Sequence, residues 1–230
     1  MKKLIIIPAY NEEECIEATV RRILKYAPEF DYVVINDCST DNTRKICERN
    51  HFNILNLPIN LGIGGAVQTG YQYALRHQYD VAVQMDGDGQ HDPAYLQAMV
   101  DCMEKEGLDM VIGSRFLEKE GFQSSATRRM GIRFFEALIR LLTGKTITDP
   151  TSGMRMVDKR VIALFAQEYP KDYPEPESVV TLLMNGMKIK EVPVKMRARE
   201  GGVSSISSSD AVYYMVKVSM AVLIAAWRRK

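Results

Sequence analysis

The chain has 230 residues, of which 46% are hydrophobic and 26% charged, and its formal net charge is +1. This composition is typical of a folded globular protein with one large α/β domain or two small ones, and it excludes a disordered chain. A net charge this close to zero argues against a polycationic nucleic-acid-binding protein. The four cysteines form no C-x-x-C pair and no cluster with the three histidines. The sequence therefore predicts reduced cytosolic thiols rather than a zinc site.

The amino-terminal segment predicts a strand rather than a secretion signal. Its apolar run stops at Pro8 and is soon followed by three consecutive glutamates. Such a run is too short for the apolar region of a signal peptide. We therefore expect a cytoplasmic protein that begins with a buried strand.

Short apolar runs alternate with helical patterns through the first half of the chain. The predicted strands are KLIIIPAY, DYVVINDCS, HFNILNLP, DVAVQMD and DMVIGSRF. The predicted helices are EEECIEATVRRILKYA, STDNTRKICERN, GIGGAVQTGYQYALRHQ and DPAYLQAMVDCMEKEG. Asp92 is expected to cap the last of these, with Pro93 at its first position. This alternation predicts an α/β fold, with a doubly wound, mainly parallel sheet and a Rossmann-like nucleotide-binding half.

The second half of the chain begins after Phe116 with a polar loop and a basic amphipathic helix. A helix–loop–helix segment then leads into a predicted edge strand at Pro193, a position where proline is tolerated. A Gly/Ser-rich loop with two arginines follows. We divide the chain into a catalytic domain, residues 1–208, and a C-terminal helix, residues 209–230.

The C-terminal segment, Ala211 to Lys230, is apolar apart from Lys217 and Ser219 and ends in WRRK. A spanning helix needs about 20 apolar residues, so this segment is marginal for crossing a bilayer. An aromatic residue beside basic residues favours a helix that lies at the membrane interface. The alternative is a C-terminal helix buried against the domain.

Polar residues follow each predicted strand, and ligands of such sheets bind outside the carboxyl ends of the strands. One of these segments, VQMDGDGQHD, places Asp86, Asp88 and Asp92 close together. Like charges at this spacing repel one another unless a cation lies between them. The two interpretations are a solvated turn, because Asp and Gly are ordinary turn residues, and a divalent metal site.

Six motifs in order resemble those of family 2 glycosyltransferases. They are IIIPAYNEE, VINDCSTDNT, NLGIGGAVQTGYQYA, MDGDGQHDP, GSR and DPTSGMR. The resemblance extends from Leu4 to about Ser208 and is strongest to the dolichol-phosphate mannose synthases and bacterial polyprenyl-phosphate glycosyltransferases. It implies a GT-A fold, a nucleotide-sugar donor, a divalent metal (Mg²⁺ or Mn²⁺) and inversion at the anomeric carbon.

The resemblance also implies a donor site. Asp88 is then a catalytic residue that holds the metal together with Gln90, and oxygen ligands of this kind suit a hard cation. The predicted nucleotide-binding residues are Pro8, Tyr10, Glu12, Asp37, Gly62, Gly64 and Asp86. Tyr10 offers a stacking face, the carboxylates accept hydrogen bonds from base and ribose, and the glycine-rich turn presents backbone amides to phosphate or ribose.

For the acceptor, the sequence predicts a group of phosphate-binding residues, because guanidinium groups bind phosphate in a bidentate manner. The group consists of Arg115, Arg128, Arg129, Arg155, Arg199 and Ser204. The similar enzymes carry an R-x-x-G-x-S-K loop here, and Ser205 replaces its lysine in this chain. This departure weakens the predicted grip on phosphate.

Asp149, in DPTSGMR, occupies the position where sugar-acceptor members of the family keep a general base. A lipid phosphate, whose second pKa is near 6, is already ionised at neutral pH. We therefore expect Asp149 to orient the donor sugar or Arg155 rather than to remove a proton. Arg115 and Asp149 are counted as catalytic with Asp88.

The resulting hypothesis is a metal-dependent transferase that moves a sugar from a UDP- or GDP-sugar, with UDP favoured, to a polyprenyl phosphate. It would work at the inner face of the cell membrane, as a peripheral enzyme or with a separate membrane-protein partner, and as a monomer or homo-oligomer. One alternative is transfer to a sugar hydroxyl with Asp149 as base. Another is a nucleotide-sugar-binding subunit without turnover.

Overall fold

The computed structural model describes residues 1–118, 126–172, 174–197 and 210–227. For residues 126–128 and 210–214 only the backbone is described. The described residues form a single seven-stranded sheet with helices on both faces. This arrangement confirms the predicted doubly wound α/β architecture.

The strands follow the order β3-β2-β1-β4-β6-β5-β7 across the sheet. Their bounds are β1 Lys3–Ala9, β2 Asp31–Asn36, β3 Ile54–Asn56, β4 Val81–Gln84, β5 Met110–Ser114, β6 Arg155–Asp158 and β7 Ile189–Pro193. β7 lies at the edge of the sheet, which confirms the predicted edge strand at Pro193.

The helices cover most of the remaining described chain. Their bounds are α1 Ile16–Tyr26, α2 Thr43–Arg49, α3 Gly62–Arg76, α4 Leu96–Glu106, α5 Ala126–Thr143, α6 Lys159–Gln167, α7 Pro174–Met184 and α8 Asp210–Trp227. A 3₁₀ turn, Pro93–Tyr95, precedes α4, and the Asp92 side chain accepts a hydrogen bond from the Ala94 amide there. The predicted cap and the predicted first-turn proline are both confirmed.

One strand was not predicted. β6 runs antiparallel to both β4 and β5, whereas the other neighbouring pairs are parallel. Its sequence, RMVD, has only two apolar residues, so no period-2 pattern is long enough to recognise. The mainly parallel sheet is confirmed, with β6 as its reversed strand.

Alternating side chains of the central strands supply two separate cores. Ile5 and Ile7 of β1 face α1 and α4, whereas Leu4 and Ile6 face the side covered by α3, α5, α6, α7 and α8. Successive side chains of a strand point to opposite faces, so a strand covered on both faces is apolar throughout. This explains the unbroken run LIII in β1.

The C-terminal helix α8 packs against α7 and α5. Val218 and Val222 of α8 are fully buried and belong to the core on that face. On its outer side, five apolar residues are exposed: Val216, Met220, Leu223, Ile224 and Trp227. None of the helices in the described ranges has the length and apolarity to cross a membrane.

Candidate active site

The loops after β1, β2 and β4 meet at the carboxyl edge of the sheet. Asn11, just after β1, accepts hydrogen bonds through Oδ1 from the amides of Thr40 (2.8 Å) and Asp41 (3.4 Å) in the loop after β2. A Cβ on Gly87, after β4, would lie 3.2 Å from the Pro8 carbonyl oxygen and 3.5 Å from Glu12 Cγ. The polar residues that follow these strands therefore lie together at one edge of the sheet.

Three predicted nucleotide-binding residues occupy different environments at the end of β1. Pro8 is buried within the strand opposite Ile35 of β2, so it forms part of the floor. Tyr10, directly after the strand, is 49% exposed. Glu12 is partly exposed, and its backbone carbonyl accepts the amide of Ile16 where α1 begins. Tyr10 and Glu12 thus have side chains that a nucleoside can reach.

Asp37, at the end of β2, is buried and holds the loop that leads into α3. Its Oδ1 accepts the Leu61 amide at 2.7 Å, and its backbone carbonyl accepts the Asn60 side chain at 3.1 Å. Burial raises the pKa of Asp37, and the hydrogen bonds from the Leu61 and Gly62 amides oppose that rise. Asp37 therefore shapes the glycine-rich turn in addition to any contact with a nucleoside.

The glycine-rich turn itself differs from the prediction at Gly64. Gly62 has φ of +74°, a conformation that glycine adopts without strain. Gly64 donates its amide to the Lys171 carbonyl at 3.2 Å, and a Cβ there would lie 2.2 Å from the Pro170 carbonyl oxygen. Glycine is thus required at position 64 because the backbone of residues 170 and 171 packs against it. The Gly64 amide is bonded to that backbone and is not directed at a phosphate.

The acidic motif after β4 is held by short-range hydrogen bonds. Asp88 Oδ1 accepts a hydrogen bond from the backbone amide of Gln90 at 3.0 Å, and the backbone amide of Asp86 donates to His91 Nδ1 at 2.9 Å. His91 is buried, and the Asp86 and Asp88 side chains are partly exposed. The Gln90 side-chain amide donates to the Arg197 carbonyl at 3.3 Å. The two aspartates therefore present carboxylates at the cleft on a constrained turn.

The side-chain oxygens of this turn suit a cation that is also coordinated by oxygens of a bound substrate. Within the described part of the chain, no group of three or more His, Cys, Asp and Glu side chains could hold a metal ion. Mg²⁺ commonly binds through one or two carboxylates together with substrate phosphates and waters. Asp86, Asp88 and the amide oxygen of Gln90 fit that mode of binding.

After β5, Arg115 forms a buried ion pair with Asp149. The Arg115 side chain donates to both carboxylate oxygens of Asp149, from Nε at 2.7 Å and from Nη2 at 2.6 Å, and its backbone amide adds a third bond at 3.1 Å. Asp149 is fully buried and Arg115 is 8% exposed. Asp149 thus orients Arg115, whereas the sequence predicts that it orients the donor sugar or Arg155.

The turn that carries Asp149 is fixed by a residue that we did not predict. Glu191, on β7, accepts the amides of Thr148 at 2.7 Å and Asp149 at 2.8 Å. Burial raises the pKa of Glu191, and these hydrogen bonds oppose the rise. An acidic residue within an edge strand was the only sequence signal for this role.

The DPTSGMR segment joins the two sides of the cleft. Thr151 Oγ1 accepts from Arg115 at 3.0 Å, and Ser152 Oγ donates to the Gly113 carbonyl at 2.6 Å. A Cβ on Gly153 would lie 2.8 Å from Asp86 Oδ2, so any larger residue there would displace that carboxylate. The MDGDG, GSR and DPTSGMR motifs therefore form one continuous unit.

Comparison with known proteins identifies this unit. Residues 4–165 match the family model described as Glycosyl transferase family 2. The chain belongs to glycosyl transferase family 2. It is therefore a glycosyltransferase, and both the predicted family and the predicted enzyme class are confirmed.

Two curated relatives and one crystal structure are informative. The undecaprenyl-phosphate mannosyltransferase of Micrococcus luteus is 32% identical, over 99% of this chain and 96% of that protein. The polyprenol monophosphomannose synthase of Mycolicibacterium smegmatis is 30% identical, over 95% of this chain and 86% of that protein. Glucosyl-3-phosphoglycerate synthase from Mycobacterium tuberculosis, in complex with Mn²⁺, UDP and glucosyl-3-phosphoglycerate, superposes with a TM-score of 0.73 at 19% identity, covering 98% of this chain and 79% of that one. The last likeness confirms the GT-A fold.

In this glycosyltransferase, the predicted acceptor residues separate into different environments. Arg129 lies in the first turns of α5 and is partly exposed, whereas the side chain of Arg128 and both Arg199 and Ser204 lie outside the described residues. Arg197, next to that last segment, donates its amide to the Gln90 carbonyl at 3.0 Å. Arg197, the last described residue before that segment, therefore lies beside the acidic motif.

Arg155 requires a correction. It is 1% exposed and lies on β6 inside the glycosyltransferase, where Nη1 donates to Ser178 Oγ at 2.6 Å and Nη2 to Tyr169 Oη at 3.1 Å. A guanidinium bonded to interior groups does not reach a lipid phosphate at the surface. Arg155 is therefore removed from the acceptor group.

Proposed function

We propose that this glycosyltransferase moves a sugar from a nucleotide-diphosphate sugar to a polyprenyl phosphate, with Mg²⁺ or Mn²⁺ bound at the acidic motif. The observation that carries the proposal is the contact of the DPTSGMR segment with both the partly exposed Asp86 carboxylate and the buried Arg115–Asp149 pair. The likeness to an undecaprenyl-phosphate mannosyltransferase and to a polyprenol monophosphomannose synthase supports the acceptor. The neighbouring structure with Mn²⁺ and UDP supports a metal and favours UDP in the donor.

On the donor side, Tyr10 and Glu12 would contact the nucleoside, and Asp86 the ribose or the waters of the metal. Asp88 and Gln90 would hold a cation that neutralises charge developing on the diphosphate leaving group. An oxygen of the acceptor phosphate attacks the anomeric carbon while the bond from that carbon to the diphosphate breaks. The nucleoside diphosphate leaves with the electron pair, and the configuration at the anomeric carbon is inverted.

The reaction in this form needs no general base, and the geometry of Asp149 agrees with that. Both of its carboxylate oxygens accept hydrogen bonds from the Arg115 side chain, and no part of the residue is exposed. A phosphate acceptor is already an oxyanion at neutral pH. Transfer to a neutral sugar hydroxyl would instead require Asp149 to leave this ion pair, so the phosphate acceptor is favoured.

The release of nucleoside diphosphate tests this proposal. The purified enzyme is incubated with Mn²⁺ and UDP- or GDP-sugars, with a short-chain polyprenyl phosphate, the corresponding polyprenol, or a free monosaccharide. Release that depends on the polyprenyl phosphate supports the proposal. Equal or greater release with the monosaccharide would assign a sugar-hydroxyl acceptor, and release that never exceeds the acceptor-free control would contradict transfer to any of them.

Arg129 provides a prediction for the acceptor. Replacing it with alanine should raise the KM for polyprenyl phosphate by about one to two orders of magnitude, since a hydrogen bond to a charged group contributes roughly 1.5–3 kcal/mol. The same change at Arg128 should act in the same direction. Arg160→Ala is the matched control, because that exposed arginine pairs with Asp109 at the opposite edge of the sheet. A rise confined to the donor KM would move Arg129 to the diphosphate site.

We also propose that α8 holds the enzyme at the membrane surface. Its exposed apolar residues recur at 216, 220, 223, 224 and 227, a spacing that places them on one helix face. On the neighbouring helix α5, Met130, Phe134 and Leu141 are exposed as well. A lipid acceptor keeps its tail in the bilayer, so surface attachment raises its effective concentration at the cleft. One face of α8 packs on the domain, and the other is open; the open face supports the proposed attachment.

Substitutions on the open face of α8 test this attachment. Met220→Glu with Ile224→Glu should weaken binding to anionic liposomes by at least about tenfold, because each buried apolar side chain contributes roughly 1.5–3 kcal/mol. Flotation and a melting curve are measured for each variant. Leu24→Glu with Leu75→Glu, at similarly exposed positions of α1 and α3, is the matched control. Equal flotation of the α8 variant and the wild type would remove α8 from the membrane contact.

A further inference from the structure

Arg155 is a buried charge for which the proposed reaction has no direct use. Its neighbours are Ser178 and Glu175 on α7 and Tyr169 in the segment before α7. The Glu175 Oε1 lies 3.9 Å from Arg155 Nη2. Among the described residues, its Nε is a buried side-chain nitrogen without a hydrogen-bond partner. An unsatisfied donor on a buried charged group lowers the stability of the folded protein. A functional need for the guanidinium at this position would explain why an arginine stands here despite that cost.

The function is indicated by the residue directly opposite. Arg155 on β6 pairs with Gln84 on β4, and side chains of directly opposed residues in antiparallel strands lie on the same face. Arg155 Nη2 donates to Gln84 Oε1 at 3.4 Å, and Gln84 Nε2 donates to Asp86 Oδ1 at 3.1 Å. A chain of three polar groups therefore runs from the interior to the carboxylate at the cleft.

We propose that Arg155 and Gln84 are positioning residues that fix the orientation of the Asp86 carboxylate for donor binding. An amide group has one donor end and one acceptor end, and Arg155 accepts no hydrogen bonds. Its guanidinium therefore holds Oε1 of Gln84 towards itself and turns Nε2 towards Asp86. Gly153 lies against the same carboxylate, so Asp86 is constrained by a hydrogen bond and by a backbone surface.

This inference rests on the proposed function, because it assumes that Asp86 contacts the donor. Gln84→Glu is the decisive variant. The new carboxylate still accepts from Arg155, but it turns an oxygen instead of an N–H group towards Asp86, and like charges repel. If Gln84 served only to accept the hydrogen bond from Arg155, Gln84→Glu would preserve that role and Gln84→Met would abolish it.

The experiment measures calorimetric binding of UDP and GDP, each with Mn²⁺, together with melting temperature and the KM for polyprenyl phosphate. We expect Gln84→Glu to lower the affinity for the preferred nucleotide at least tenfold, with little change in melting temperature or acceptor KM. Gln97→Glu is the matched control, because Gln97 Nε2 also donates to an aspartate, Asp101, but on the outer face of α4. It should bind nucleotide as the wild type does.

Unchanged or tighter nucleotide binding by Gln84→Glu would overturn the positioning role and leave the proposed function intact. A loss of affinity equal to that of Gln97→Glu would also overturn it. Failure of the wild type to bind either nucleotide would instead refute the donor assignment, and this inference with it. Because the wild type is measured first, the two failures are distinguishable.

Discussion

Asp88→Asn should lower kcat/KM for the donor by about 10³-fold, because metal-assisted neutralisation of a leaving group contributes several kcal/mol to transition-state stabilisation. Asparagine removes the charge but keeps an oxygen that can accept the Gln90 amide, which is 3.0 Å from Asp88 Oδ1. The turn should therefore survive, and the melting temperature should stay near that of the wild type. Steady-state kinetics across a range of Mg²⁺ and Mn²⁺ concentrations measure the effect.

Asp92→Asn is the matched control for this variant, since it makes the same change in the third aspartate of the motif. Asp92 caps the 3₁₀ turn before α4, and asparagine caps about as well as aspartate. It should keep most of the activity. Near wild-type turnover by Asp88→Asn at every metal concentration would show that Asp88 does not hold the metal.

Asp149→Ala should destabilise the protein by about 3–5 kcal/mol, because it leaves the Arg115 guanidinium buried without its counter-charge. In a chain of this size, that loss corresponds to a fall in melting temperature of about 10 °C. Activity should fall as well, since Arg115 loses the two side-chain hydrogen bonds that orient it. Thermal and urea unfolding, followed by circular dichroism, measure the change in stability.

The double variant Arg115→Met with Asp149→Leu distinguishes the charge effect from a packing effect. Replacing a buried ion pair with apolar side chains of similar volume is often neutral for stability. The double variant should therefore recover much of the lost stability and remain inactive. A double variant as unstable as Asp149→Ala would show that the pair's stability effect is not due to an uncompensated charge.

The position of the site was predictable because polar residues follow apolar strands. Tyr10 and Arg115 come directly after β1 and β5, and Asp86 comes two residues after the end of β4; parallel strands bring such ends to one edge. The reversed strand β6 was not predictable from RMVD, and with it the contact between Gly153 and Asp86 was missed.

The errors at single residues share a physical cause. Arginine is mostly exposed in proteins, so the pattern DPTSGMR predicts a surface phosphate ligand at Arg155, whereas its strand lies between two others in the sheet. A glycine-rich turn predicts a nucleotide contact at Gly64, to phosphate or ribose, because such turns commonly bind anions, but the residues that fill that space, Pro170 and Lys171, lie more than a hundred positions along the chain. Local pattern does not reveal such distant partners. The role of Glu191 was missed for the same reason.

The reversal of β6 also determines which helices direct their positive dipole ends towards the site. α1, α3 and α4 each follow a strand that points towards the site, so their positive dipole ends lie at the edge where a diphosphate would bind. α6 follows β6 and starts at the opposite edge, where Asp158 caps it. On that side of the cleft no partial positive charge from α6 is available to an anion. An anionic acceptor on that side is attracted instead by Arg115, directly after β5, and by Arg129 in the first turns of α5, which itself starts at the carboxyl edge of the sheet.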